Sequence, residues 1–160
     1  MTPELAVAIG YASAIALSAF GSAIGTGMAG LTTIGAGKRC FLQQKPFPFI
    51  TMAFVGAPLT QTIYGFLLMN AILGIAAKAG ADGLGEAAAY SLMSGGFFGG
   101  LAIGMAAIMQ GRAGAAASDA LAETGKGFVN FMMILGVIES VALFVMIFII
   151  VTLNKLVVGG

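Results

Sequence analysis

Charged residues divide the chain into long apolar stretches. No residue carries a formal charge between Glu4 and Lys38, between Lys45 and Lys78, or between Glu86 and Arg112, and between Lys126 and Lys155 only Glu139 does. Each stretch exceeds the roughly 20 residues that a helix needs to cross a bilayer. Backbone groups in hydrocarbon must be satisfied internally, so each stretch should be helical. The pattern predicts four transmembrane helices, over 4–36, 48–77, 84–118 and 126–156. Four such runs with almost no polar face do not fit the buried helices of a water-soluble domain. The fold class is therefore an all-α membrane protein, read as two helical hairpins, 1–80 and 81–160.

The connections set the orientation. "GKRCFLQQKPF" after the first helix carries Lys38, Arg39 and Lys45, and the third connection is expected to hold Arg112 and Lys126. The middle connection sets Lys78 against Asp82 and Glu86. Positive charge marks the cytoplasmic side. Both termini and the middle loop then face out, with Tyr11 and Tyr90 near the outer interface. The expected location is a cell membrane, crossed several times.

Composition narrows the chemistry. The chain is 59% hydrophobic and 8% charged with a net charge of +1, which makes no case for nucleic acid. There is no histidine, and Cys40 is the lone cysteine. An internal disulfide, a zinc site and a Cys–His nucleophile are all excluded. The opening "MTPEL" has no basic n-region, so the first apolar run is read as mature structure and not as a secretory signal.

The two halves repeat. "GAPLTQTIYGFLLM" overlays "ILGVIESVALFVMI", placing Gln61 on Glu139, each 13 residues after its helix start at Pro48 or Lys126. Both residues then lie about 20 Å along their helices. The first helices of the two halves share a small-residue pattern as well, "GSAIGTGMAG" in one and "GMAAIMQGRAG" in the other, at a larger offset that the longer first loop absorbs. Both hairpin loops fall on one side, so the repeats are parallel and not inverted. The first helix carries Gly21, Gly25 and Ala29 at spacing four, and the third carries Gly96, Gly100 and Gly104. Small residues on one face let helices approach closely in lipid. An ordinary packed bundle would use them so; a ring of many copies, with these helices as a crowded inner layer, would need them.

Glu139 is the candidate functional group. A carboxylate near mid-bilayer costs a few kcal/mol or more and is by default functional; the structural alternative is a protonated side chain bonded to a neighbouring helix. Other polar residues share its depth: Thr60, Gln61 and Tyr64 on the second helix, Gln110 on the third, and Ser140 beside it. Pro58 lacks an N–H and displaces the carbonyl of Phe54, freeing backbone oxygen nearby. Hard cations take oxygen ligands of these kinds. Glutamines that serve only to join helices are the plainer reading.

The run "PLTQTIYGF", the Gln110–Gly111 pair and the "ES" at 139–140, set in four helices with a glycine-rich first and third, resemble the duplicated proteolipid subunit of rotary V-type ATPases. The likeness covers the whole chain and is greatest to the sodium-translocating bacterial form. It implies a membrane rotor ring of identical copies, non-catalytic in itself, that carries Na+ on Glu139 while partner subunits hydrolyse ATP. The implied ion ligands are Glu139, Gln110, Gln61, Thr60 and the carbonyl of Ala57, with Tyr64 hydrogen-bonding the glutamate. Sodium-type relatives have a larger aliphatic residue where Ala57 stands, a change that a backbone ligand tolerates. Proton-type relatives keep the glutamate but lack the Thr–Gln pair. The implied partners are a stator subunit with a membrane arginine, a central-stalk subunit at the cytoplasmic loops, and lipid. The alternatives are a proton-carrying rotor subunit, a small multidrug or ion exchanger, which usually pairs opposite topologies, and a purely structural spacer.

Overall fold

In the computed structural model, which describes residues 1–79 and 84–159, the chain forms α1 (Pro3–Leu42), a short α2 (Met52–Gly56), α3 (Thr60–Lys78), α4 (Glu86–Thr124) and α5 (Phe128–Val157). Tight 3₁₀ turns at Phe49–Thr51 and Ala57–Leu59 join α2 and α3 into a single apolar rod, Phe49–Lys78. Among the described residues there is no strand. The four rods of 40, 30, 39 and 30 residues are each long and apolar enough to cross a membrane, so the chain is a multi-pass membrane protein. Asp82 and the expected boundary between the hairpins lie outside the described residues.

The helix ends differ from expectation. α1 begins on Thr2, whose hydroxyl accepts from the Leu5 N–H at 3.3 Å, with Pro3 in the first turn. It then runs to Leu42 instead of ending near 36, and α4 runs to Thr124 instead of 118. Lys38 and Arg39 are therefore helical and not part of a connection, and Arg112, inside the predicted span 84–118, lies on α4 and not in the third connection. Hydropathy locates the oily core, whereas a helix in water ends where its capping and side-chain contacts end. Here Arg39 of α1 ion-pairs with Asp119 and, at 3.0 Å, with Glu123 of α4. This joins the two extensions beyond the apolar region. At about 1.5 Å per residue the longest rod spans about 60 Å, twice the hydrocarbon thickness. α4 stops at Gly125 and α5 starts after Gly127, both left-handed at φ 67° and 93°, conformations that only glycine adopts without cost.

α1 and α4 touch along their backbones. A Cβ at Gly111 would overlap the Gly25 backbone, and one at Gly96 would overlap the Gly10 carbonyl. The pairs run in the same order, Gly10 with Gly96, Ala14 with Gly100 and Gly25 with Gly111, so the two helices are parallel. The small-residue faces are thus spent inside one chain. This is the use that an ordinary packed bundle makes of them, and by themselves they do not call for a second copy. A Cβ at Gly100, for instance, would lie 2.6 Å from the Ser13 oxygen of the same chain.

The second rod and α5 pack outside this seam, α3 on α1 and α4, and α5 on α4 and α3. Two apolar clusters result. One gathers Leu68, Ile72, Leu92, Ile103, Met146 and Leu153; the other gathers Phe54, Ala117, Leu121 and Leu135 with Phe128 and Phe131 packed against it. Between the clusters, the second rod, α4 and α5 each contribute polar residues.

Substituting Gly111 by leucine should push α1 and α4 apart and lower stability in detergent by about 1–3 kcal/mol or more, the usual cost of overpacking. Gly74, with open space around its missing Cβ, should accept alanine without loss. Thermal unfolding followed by circular dichroism reads both; equal melting temperatures for the two variants would contradict the seam.

Candidate functional site

The polar layer between the two clusters is built from three helices. Pro58 interrupts the second rod, and the resulting 3₁₀ turn at Ala57–Leu59 brings Thr60 back onto the preceding turn. Both the Thr60 N–H and, at 2.9 Å, its hydroxyl donate to the Ala57 carbonyl. The carbonyl that the proline ring displaces, that of Phe54, points at Gly114 of α4, where a Cβ would meet it at 2.8 Å. The absence of a side chain at Gly114 lets the broken rod dock.

Gln61 and Gln110 are both completely buried, at 0% exposure, and each must find partners inside the protein. Gln110 Nε2 donates to the Leu135 carbonyl at 3.1 Å, which fixes which end of the amide is nitrogen. Its Oε1 then accepts from Gln61 Nε2 at 2.8 Å. In turn this directs Gln61 Oε1 toward Thr60 Oγ1, 3.3 Å away. The Thr60 hydroxyl thus has two acceptors within reach, the Ala57 carbonyl at 2.9 Å and Gln61 Oε1 at 3.3 Å, and its one hydrogen can serve only one of them at a time.

Glu139, half-buried on α5, closes the layer. Its Oε1 accepts from the Tyr64 hydroxyl at 2.8 Å, and its Oε2 stands 3.5 Å from Gln110 Nε2. Among the described residues the only ion pairs are those of Arg39, so the carboxylate has no cationic partner within the described chain. Nor do three or more His, Cys, Asp or Glu side chains come together anywhere among the described residues. A cation held here would meet one negative charge and otherwise neutral oxygens.

All six residues singled out in the sequence, Ala57, Thr60, Gln61, Tyr64, Gln110 and Glu139, thus fall in a single layer. Ser140 does not join them: its hydroxyl turns back to the Val137 carbonyl of its own helix at 2.7 Å. The Leu135 carbonyl, which orients Gln110, was not foreseen. A backbone acceptor has no residue signature; its only cue is the position one turn before Glu139.

Four apolar spans around a carboxylate describe an integral-membrane protein with one ionisable group in its apolar region. Residues 93–152, under half of the chain, match the ATP synthase C-subunit family, and this window contains Gln110, Leu135 and Glu139. The match supports a proteolipid of the c-subunit type. No curated protein matches the chain.

The amide pair can be tested without any ion. Gln110→Leu should destabilise by about 1–3 kcal/mol, because the buried Gln61 amide loses its acceptor. Adding Gln61→Leu should recover part of that loss, since an apolar pair leaves nothing unsatisfied. If denaturant unfolding shows the two effects simply adding, the hydrogen bond between the amides is not there.

Proposed function

We propose that the chain is a rotor-ring proteolipid of a V-type ATPase that carries Na+ on Glu139. The observation that carries this reading is the chain of polar contacts from Thr60 through Gln61 and Gln110 to the Glu139 carboxylate, in which Gln61 Oε1 and Thr60 Oγ1 stand 3.3 Å apart. Oxygens bound to a common cation at about 2.4 Å stand at about this separation from one another. One carboxylate against one monovalent cation makes the loaded site neutral, as passage through hydrocarbon requires. The family match over 93–152 supports the rotor role.

On this reading Na+ is cargo. Glu139 takes it from an aqueous half-channel in a stator subunit, with Thr60, the amide oxygens of Gln61 and Gln110, and the Ala57 carbonyl completing the shell. Tyr64 holds the carboxylate in place by its hydrogen bond. The neutral site turns through lipid, and an arginine of the stator then displaces the ion by pairing with the carboxylate. Gln61 stands where a second carboxylate would be if each hairpin carried its own ion. A ring of given circumference therefore moves fewer ions per turn, each against a steeper gradient, which suits a pump driven by ATP hydrolysis. A central-stalk subunit would seat on the cytoplasmic loops.

A second reading has its own support. Both carboxyl oxygens have hydrogen-bonding neighbours within the chain, Tyr64 and Gln110. A site that carried only a proton would need nothing more.

Labelling with a hydrophobic carbodiimide, which attacks a protonated carboxyl in an apolar setting, separates the two. Glu139 should be labelled while Glu4, Glu86 and Glu123, exposed to water, are not. Sodium or lithium should protect it; potassium at equal ionic strength should not. Protection should weaken as pH falls, because protons then outcompete the ion. Thr60→Ala or Gln110→Ala should keep the labelling but need roughly tenfold or more sodium for the same protection, as expected for an interaction worth about 1.5–3 kcal/mol. Absence of sodium protection at every pH from about 6 to 9 would leave the proton reading standing alone.

A further inference from the structure

The outward faces of α1 and α4 carry complementary charge at one level. On α1, Gly27, Leu31, Ile34 and Lys38 are exposed at spacings of four, three and four, with Leu31 at 73% and Ile34 at 69%. At about 100° per residue this line is turned roughly 150° from Gly21, Gly25 and Ala29, which face α4. On α4, Met105, Met109, Arg112 and Ala116 are exposed or half-exposed, a line turned roughly 140° from the residues that face α1. The two lines therefore lie on opposite flanks of the chain. Faces of that kind make heterologous contacts, which close into rings when the rotation permits.

The levels match because α1 and α4 are parallel in register: Gly25 lies beside Gly111, and Thr33 Oγ1 bonds Ser118 Oγ at 2.9 Å. In a ring whose axis is the membrane normal, Leu31 of one copy is then level with Ala116 of the next, Ile34 with Ala120, and Lys38 with Glu123. Beside Ala116 and Ala120 lies an apolar groove, closed on its other side by Phe131 and Ile134. At the rim the charges complement each other. Arg39 is shared by two carboxylates, Asp119 and Glu123, leaving one negative charge uncompensated on the α4 flank. Lys38 is exposed on the α1 flank and takes part in no ion pair among the described residues.

We propose that the α1 flank of one copy seats on the α4 flank of the next, Leu31 and Ile34 entering the groove beside Ala116 and Ala120, and Lys38 pairing with the uncompensated carboxylate at Asp119 and Glu123. The inference rests on the ring reading and adds to it which faces meet. A charge pair exposed to water contributes little affinity and mainly sets register and excludes wrong partners. Around a closed ring, alternating Lys38, Glu123, Arg39 and Asp119 would form a continuous belt of charge on the cytoplasmic side.

The full-length protein in its membrane provides the test. With Cys40→Ala as background, Leu31→Cys and Ala116→Cys point away from each other within one chain, so oxidation can join them only between copies. The expected result is a ladder of oligomers on denaturing gels. Lys38→Glu should lower the temperature at which the assembly dissociates, and adding Glu123→Lys should restore it, read by native mass spectrometry. If the wild type is a ring but the Leu31→Cys, Ala116→Cys variant gives no ladder, or if Lys38→Glu does not alter dissociation, this pairing is overturned and the ring is left standing. A wild type that is a monomer overturns the ring itself, and this inference with it.

Discussion

A carboxylate at the middle of an apolar helix must be met by polar groups from other helices, because hydrocarbon offers none. That requirement organises the molecule. Tyr64 and Gln110 reach Glu139 from two different helices, and Gln61, one turn before Tyr64, reaches Gln110, so three rods must converge at one depth. Convergence is possible because α1 and α4 meet without side chains between them at Gly25 and Gly111. It also needs the gap at Gly114, into which the broken second rod brings its Phe54 carbonyl. The two apolar clusters above and below the layer close it off along the membrane normal.

Within the layer, satisfaction and availability are in tension. The Leu135 carbonyl fixes the Gln110 amide, that amide fixes Gln61, and Gln61 turns its oxygen to Thr60. Each glutamine thus has its buried nitrogen satisfied by the protein, and each amide oxygen, with two lone pairs and one neighbour, keeps capacity to accept again. A purely structural spacer would gain nothing from such an arrangement, and parallel α1 and α4 do not fit an exchanger built on inverted repeats. On the ion-carrying reading, the network is a preformed shell in which the protein has already met the cost of orienting the ligands.

The charges and the hydropathy pattern were enough to find the four spans, and the repeat put Gln61 at the depth of Glu139. Both signals are carried by side-chain identity, which is why they survive in the sequence. The helix ends were not legible, because Arg39, Asp119 and Glu123 act across helices beyond the oily core. The glycine faces were read correctly as sites of close approach, but spacing alone does not say whether the approaching helix belongs to the same chain. Ser140 shares the depth of Glu139 but not its contacts: beside it in sequence, it lies about 100° round the helix and bonds its own backbone.

Equilibrium binding of radioactive sodium to the purified, detergent-solubilised protein tests the central claim most directly. The account predicts saturable uptake approaching one ion per chain near pH 9, abolished by Glu139→Gln, which keeps the shape and removes the charge. Saturable binding that Glu139→Gln leaves intact, or no saturable binding at that pH, would contradict it.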